Sequence, residues 1–191
     1  MTLLFSTEAR RQFDPVAQQF GLVCVASGEQ GLRYENEKVF LEVNFDNGRS
    51  YELGIEIGKQ HTQYPGPPFS LAEILRLRGV QNTAFVSGLM TSDESRLASI
   101  LSRLVRLTLD HASDFLMGND FSFAQVEKLR NQESAEFELA SQLGYARSAV
   151  DKAWPARDYK AVVKALEPLE PHLSPAEKKR LEYSRKQLSL S

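Results

Sequence analysis

The 191-residue sequence contains one cysteine, so an internal disulfide is excluded. Cys24 lies in the apolar run 22–26 with no neighbouring histidine or lysine to activate it, which favours a structural thiol in a reducing cytoplasm. No stretch approaches the ~20 apolar residues of a membrane span. Residues 1–11 place a short apolar stretch before charges, unlike a signal peptide. The sequence therefore predicts a cytoplasmic protein with no membrane partner.

Motifs for metals, cofactors and nucleophiles are missing as well. The histidines His61, His111 and His172 lie far apart, and no HExxH motif or cysteine cluster accompanies them. His111 has Asp114 one helical turn away, which is typical of a surface pair. GxSxG, Walker and GxGxxG motifs are absent. We expect no catalytic residues, no metal and no cofactor, and an enzyme is disfavoured.

Charge is nearly balanced but unevenly distributed along the chain. The formal net charge is −2 and the pI is near 6.0, which argues against a nucleic-acid partner. Acidic residues predominate from Glu29 to Lys59, whereas basic residues predominate from Ser174 to the end. This asymmetry indicates a basic protein partner for the acidic segment.

Alternating apolar residues predict a small antiparallel β-meander over residues 22–57. Strands are expected at 22–27, 32–35, 38–45 and 50–57, with helices before and after them. The fold class is therefore α+β, a meander of three to four strands packed against a mainly α-helical C-terminal part. We expect one domain over 1–191, with a helical subdomain over 134–191 as an alternative.

The turn between the third and fourth strands determines which side chains share a face. A two-residue Asn-Gly turn would mix apolar and charged residues on each face, whereas a three-residue bulged turn at Asp46–Gly48 separates them. The bulged turn is therefore predicted. Its register pairs Val43 with Tyr51, Leu41 with Leu53 and Val39 with Ile55, and on the other face Glu42 with Glu52 and Lys38 with Glu56.

Helical periodicity and capping signals fill most of the remaining chain. Helices are predicted at about 7–20, 70–79, 92–117, from 120, 134–154, 159–169 and 176–188. Ser70 with Glu73 and Thr91 with Glu94 have capping-box spacing, and Ser174–Glu177 is a third N-terminal signature. Residues 80–90 show no clear period and are predicted as a loop, with a short strand near Phe85–Val86 as an alternative.

Residues 153–168 resemble the turn and second helix of a tetratricopeptide-type hairpin, in which an Asp-Tyr pair such as Asp158–Tyr159 opens the helix. The resemblance covers about one repeat, 134–169, and departs from the family at Val162, where a small residue is usual. Solenoids need about three repeats, and no second copy is present. The favoured interpretation is a helical hairpin packed on the rest of the domain.

The leading functional hypothesis is a non-catalytic protein-binding module of bacterial origin. Its predicted contact surface is the acidic strand face of Glu42, Glu52 and Glu56, with Phe40 as an apolar centre. Immunity proteins that neutralise a basic partner work through such complementary charge.

Two alternatives remain open. One is a small-ligand-binding protein or enzyme with a pocket between sheet and helices near the Tyr64–Phe69 loop, using Tyr64, His61 or Arg49. The other is a homodimer in which the acidic sheet face meets the basic C-terminal helix of a second copy.

Overall fold

A computed structural model describes residues 2–60, 66–80, 89–91 and 93–190. A five-stranded antiparallel sheet precedes a mostly helical C-terminal part, so the predicted α+β class is confirmed. The chain divides into two compact units, residues 1–130 and 131–191. None of the helices in the described ranges is long and apolar enough to cross a membrane.

Helix α1 spans Thr2–Gln19 and begins earlier than the sequence predicted. Its buried side chains recur every three or four residues, which is the spacing of one helix face. These buried residues are Phe5, Ala9, Phe13, Val16 and Ala17. Pro15 lies inside the helix, and the apolar face continues past it. The hydroxyl of Tyr34 donates to Asp14 Oδ1 at 2.7 Å, which ties α1 to the sheet.

The sheet contains five strands in sequential order. They are β1 Val23–Ser27, β2 Gly31–Glu35, β3 Val39–Phe45, β4 Leu53–Lys59 and β5 Phe69–Ser70. In β3 the odd-numbered residues are buried and the even-numbered ones are half-buried. The odd-numbered apolar residues of β3 and β4 join the helices in one hydrophobic core. This inner face was predicted correctly.

The predicted three-residue turn and its register are wrong. The connection extends from Asp46 to Glu52, and Tyr51 rather than Gly48 has the positive φ, 54°. Asp46 stabilises the wider loop because its carboxylate accepts hydrogen bonds from the Ser50 backbone at 3.1 Å and from the Ser50 hydroxyl at 2.9 Å. Val43 therefore pairs with Ile55 instead of Tyr51. The shift is an even number of residues, so the residues of β3 and β4 stay on their predicted faces. Tyr51, predicted to face inward, is instead an exposed residue of the loop.

Among the described residues, the sheet is followed by α2 Leu71–Leu77 and then by α3 Glu94–Leu116. The capping box of Ser70 and Glu73 is confirmed. The second predicted cap is wrong: the N-cap is Asp93, whose carboxylate accepts from the Ser95 backbone at 2.9 Å. The Thr91 hydroxyl is already engaged with the backbone of Asp93.

Helix α4 extends without interruption over Asp120–Ala153. The prediction of two helices divided near residue 131 is therefore wrong. The dividing segment is polar but contains neither proline nor glycine, and Gln132 hydrogen-bonds to Glu136 one turn further on. Polar residues alone did not end the helix, since they remain solvated on its surface.

The second unit has its own core. After α4 come α5 Tyr159–Leu166, a 3₁₀ helix Glu167–His172 and α6 Pro175–Ser189. Asp158 caps α5 and the Ser174–Glu177 capping box starts α6, as the sequence predicted. The buried residues are Ala146, Val150, Ala153, Val162, Leu166, Leu169, Leu173 and Leu181.

Candidate functional site

Three of the predicted contact residues, Phe40, Glu42 and Glu56, lie on the outer face of the sheet, opposite the face that packs against the helices. Strand pairing aligns Arg33 of β2 with Glu42 of β3, Glu42 with Glu56 of β4, and Glu56 with Ser70 of β5. These four residues form a polar row that crosses four strands. Glu42 is thus opposite Glu56, and the predicted pairing of Glu42 with Glu52 is wrong.

Arg33 organises one end of the polar row. Its Nη1 donates to Glu42 Oε1 at 2.6 Å, and its Nε donates to Glu35 Oε2 at 3.1 Å. The guanidinium carbon lies 3.9 Å from the centroid of the Phe40 ring, within the range of a cation–π contact. Phe40 was predicted as the apolar centre of the contact surface. Its side chain is half-buried, and the Arg33 guanidinium covers part of its ring.

Phe40 also covers the backbone of β4. Gly58 is buried, and a Cβ atom at this position would lie 2.3 Å from Phe40 Cζ. The ring therefore occupies the space that a side chain would take, and glycine is required for this close approach.

Glu56 occupies the centre of the polar row. Burial raises the pKa of Glu56, and the charges of Glu42 and Glu73 raise it further, while Asn44 and the charge of Arg130 act in the opposite direction. Glu56 forms no ion pair with any of the described residues. Its carboxylate is therefore the least compensated charge of the row.

Arg130 of α4 fixes the other end of the row. Its guanidinium donates to Glu73 Oε1 at 2.6 Å and to the carbonyl oxygens of Pro67 at 2.8 Å and Pro68 at 2.7 Å. Burial raises the pKa of Glu73, but the bonds from Arg130 and Ser70 outweigh it and hold the pKa below its usual value. Because Glu73 also caps α2, Arg130 connects the proline segment to the start of that helix.

Glu52 lies apart from the polar row. It is exposed at the end of the Asp46–Glu52 loop, and its backbone pairs with Met90. The backbone of Leu53 donates to Leu89 oxygen, and that of Thr91 donates to Tyr51 oxygen, both at 2.9 Å. Residues 89–91 therefore cover one end of the β4 edge, whereas β5 covers the other at Glu56 and Ile57.

A cavity of about 440 Å³ lies beside β4 between these two paired ends. Its walls combine polar outer-face residues with apolar residues from β4, α2 and α3. The polar lining consists of Asn44, Asp46, Ser50, Glu52, Gly54, Glu56 and Ser70, and the apolar lining of Leu53, Ile55, Leu71, Ala72, Leu89, Leu104 and Leu107. Two predicted contact residues, Glu52 and Glu56, thus share its rim.

The pocket predicted near Tyr64–Phe69 lies only partly within the described residues. Tyr64 and His61 lie outside the described residues, as does the alternative strand at Phe85–Val86. The described cavity includes Ser70, which follows that segment, but Arg49 does not line it.

Other candidate groups have structural surroundings. Asp114 bonds to Arg78 and Ser122. Cys24 is a half-buried free thiol packed against the core. Within the described residues, no group of three or more histidine, cysteine or acidic side chains is placed to hold a metal ion.

The hairpin that resembles a tetratricopeptide repeat contains an aromatic cluster. The Trp154 ring lies 6.3 Å from that of Tyr159 and 5.8 Å from that of Tyr183, measured between centroids. Val162 is fully buried, so the hairpin accommodates the larger residue. On α4, Phe137 and Tyr145 are 76% and 79% exposed.

Comparison with known proteins gives no relative. No family model matches the chain, and no curated protein or solved structure is significantly similar to it. The fold and the site therefore define the chain only as an α+β protein with an open, acidic sheet face.

Proposed function

We propose that this chain is a non-catalytic protein-binding module that receives a basic segment of another protein on the outer face of its sheet. The observation that carries the proposal is the opposition of two carboxylates, Glu42 and Glu56, with a single guanidinium bonded to Glu42. They face each other across β3 and β4, and the only ion pair recorded for either among the described residues is that of Glu42 with Arg33.

The charge on this face supports a basic partner. Glu35, Glu42, Glu56 and the neighbouring Glu52 provide four carboxylates against the guanidinium of Arg33, while the guanidinium of Arg130 is bonded to the carboxylate of Glu73. A lysine or arginine placed between Glu42 and Glu56 would relieve their repulsion and gain favourable charge interactions. Such complementarity speeds encounter and selects against acidic partners.

Half-burial of the carboxylates strengthens the expected attraction between this face and a basic partner. The Glu42 side chain is 25% exposed and Arg33 is 33% exposed, so a partner would shield their charges from water and salt more than it would shield fully exposed ones. We infer an immunity-type role, in which binding neutralises a basic protein. We place it in a bacterial cytoplasm, a compartment where a lone free thiol such as Cys24 persists.

Site-specific photo-crosslinking tests the proposal. A photoreactive phenylalanine analogue replaces Asn44, which lies on the outer face beside Glu56, and the crosslinked peptides are identified by mass spectrometry in cells that make the protein. We expect lysine- and arginine-rich segments of one partner. The purified partner should then bind with an affinity that falls as salt is raised.

Charge-reversal variants supply the control. Glu52→Lys and Glu56→Lys break no ion pair among the described residues and should abolish crosslinking. Asp110→Lys makes the same charge change at an exposed position of α3 and should leave crosslinking intact. Capture of acidic segments, or equal capture by all variants, would exclude the proposal. Crosslinks to a second copy of this chain would replace it with the homodimer.

A further inference from the structure

The cavity beside β4 lies between two paired stretches of this edge. Residues 89–91 pair with Tyr51–Leu53, and β5 pairs with Glu56 and Ile57. Within the described chain, Gly54 and Ile55 have no strand partner on that side. Gly54 lacks a side chain, and the neighbouring Ala72 of α2 has only a methyl group, so neither fills the gap.

The size of the cavity suits a small organic molecule. Its volume of about 440 Å³ falls in the range of roughly 300–1,000 Å³ that is usual for small-molecule sites. Leu71, Leu89, Leu104 and Leu107 supply an apolar wall, which is the typical surface for the body of such a ligand.

The charged residues that line the cavity are acidic. They are Asp46, Glu52 and Glu56, and the described residues of the lining include no lysine, arginine or histidine. Hydrogen bonds from Ser50 lower the pKa of Asp46, so this carboxylate is charged at neutral pH. Neither Glu52 nor Glu56 forms an ion pair within the described part of the chain.

We propose that this cavity binds a small organic cation, an amine or amidine attached to an apolar body. The cationic head lies beside Glu56, Asp46 and Glu52 add negative charge elsewhere in the lining, and the body contacts the leucine wall. An anion would meet three carboxylates, and a neutral ligand would leave their charges unpaired. The inference goes beyond the protein-binding role and does not depend on it.

Three indole compounds that differ in the charge of the head group test the inference. Tryptamine is cationic, tryptophol is neutral and indoleacetate is anionic, while the aromatic body stays the same. Each is titrated into the full chain labelled with nitrogen-15, and amide shifts are followed by NMR. We expect tryptamine to shift Gly54, Ile55 and Ala72, tryptophol to bind about tenfold more weakly, and indoleacetate not to bind.

Two substitutions locate the binding. Ala72→Leu fills the cavity without changing the charge of the outer face, so it should abolish tryptamine binding but retain capture of a protein partner. Ala124→Leu makes the same change at an exposed position of α4 and should have no effect. Glu56→Gln should weaken tryptamine binding about tenfold. A blocked lysine amide serves as a fourth probe, and its binding in place of tryptamine would assign the cavity to a side chain of a protein partner.

Four results would overturn the inference. They are equal binding of tryptamine and tryptophol, shifts confined to residues away from the cavity, tryptamine binding that survives Ala72→Leu, and the absence of any shift at several millimolar tryptamine.

Discussion

Glu42 of β3 and Glu56 of β4 are directly opposed on the outer face, and Arg33 bonds to Glu42 at 2.6 Å while Glu56 forms no ion pair among the described residues. Opposed like charges destabilise an antiparallel pair by roughly 0.2–1 kcal/mol. The repulsion of Glu42 and Glu56 lowers the stability of the free protein, and a cation supplied by a partner would offset it.

Glu56→Gln should therefore raise the free energy of unfolding by roughly 0.2–1 kcal/mol at about pH 7. Burial and the nearby carboxylates raise the folded-state pKa of Glu56 above its ordinary value of 4.5. The folded state thus holds this proton more tightly than the unfolded state, and stability falls as the pH rises from 4.5 through the raised pKa. The gain from Glu56→Gln should disappear below that window.

Urea denaturation at about pH 4 and pH 7 measures this difference. Glu52→Gln removes a carboxylate from an exposed position on the same side of the molecule and should change stability little. A loss of stability in Glu56→Gln at neutral pH would show that the carboxylate has a favourable contact in the free protein.

Gly58→Ala should destabilise the protein by about 1–3 kcal/mol, because its Cβ would lie 2.3 Å from Phe40 Cζ and would displace the ring from its contact with Arg33. Gly54→Ala is the matched control: it lies on the same strand and face, and its Cβ would have no atom of the described residues within 4 Å. Thermal denaturation measures both variants. In a double-mutant cycle, Phe40→Ala should remove most of the cost of Gly58→Ala, and independent effects would contradict the proposed overlap.

The side of each strand residue followed from the sequence, whereas the register did not. Alternation from Val39 to Phe45 is a local signal, and it correctly predicted which residues face the helices. The turn depended on Asp46 binding Ser50 and on Tyr51 adopting a positive φ, which the Asn-Gly pair gave no reason to expect. The error exchanged Glu56 for Glu52 as the partner of Glu42 without moving any of them to the other face.

The cations of the site were missed for two different reasons. Arg33 alternates with buried Leu32 and Tyr34, so the sequence did contain the signal that it shares a face with Glu42. Arg130 is 57 residues from Glu73, and no local pattern relates a helical arginine to a distant cap. Long-range contacts of this kind depend on how the elements pack.

Arg130→Met should destabilise the first unit by about 1–3 kcal/mol, since it retains the aliphatic stem but leaves Glu73 without its guanidinium. The pKa of Glu73 is held low in the folded state, so this stabilisation is present above its ordinary pKa and is lost as the pH falls through the lowered value. Thermal denaturation across that range gives the comparison. Lys128→Met, at an exposed position of the same helix, is the control, and an equal effect of both variants would contradict a specific role of Arg130.

Glu177→Gln should destabilise the second unit by about 1 kcal/mol, because the amide still accepts from the Ser174 backbone but the charge-assisted bond from Arg147 is lost. Bonds from Arg147 and from the side chain and backbone of Ser174 lower the pKa of Glu177 to about 2. The stabilisation is complete above the ordinary pKa of 4.5 and is lost as the pH falls from there through about 2. The variant and the native chain should therefore converge in stability in strong acid.

Fluorescence of Trp154 measures this transition, because it is the single tryptophan of the chain and lies in the second unit near Tyr159 and Tyr183. Glu182→Gln removes an exposed carboxylate from the same helix, and we expect it to leave the transition unchanged. Ser174→Ala removes the other half of the capping box and should match Glu177→Gln in size. A difference between the native chain and Glu177→Gln that persists unchanged into strong acid would show that packing, rather than the ionised carboxylate, accounts for the effect.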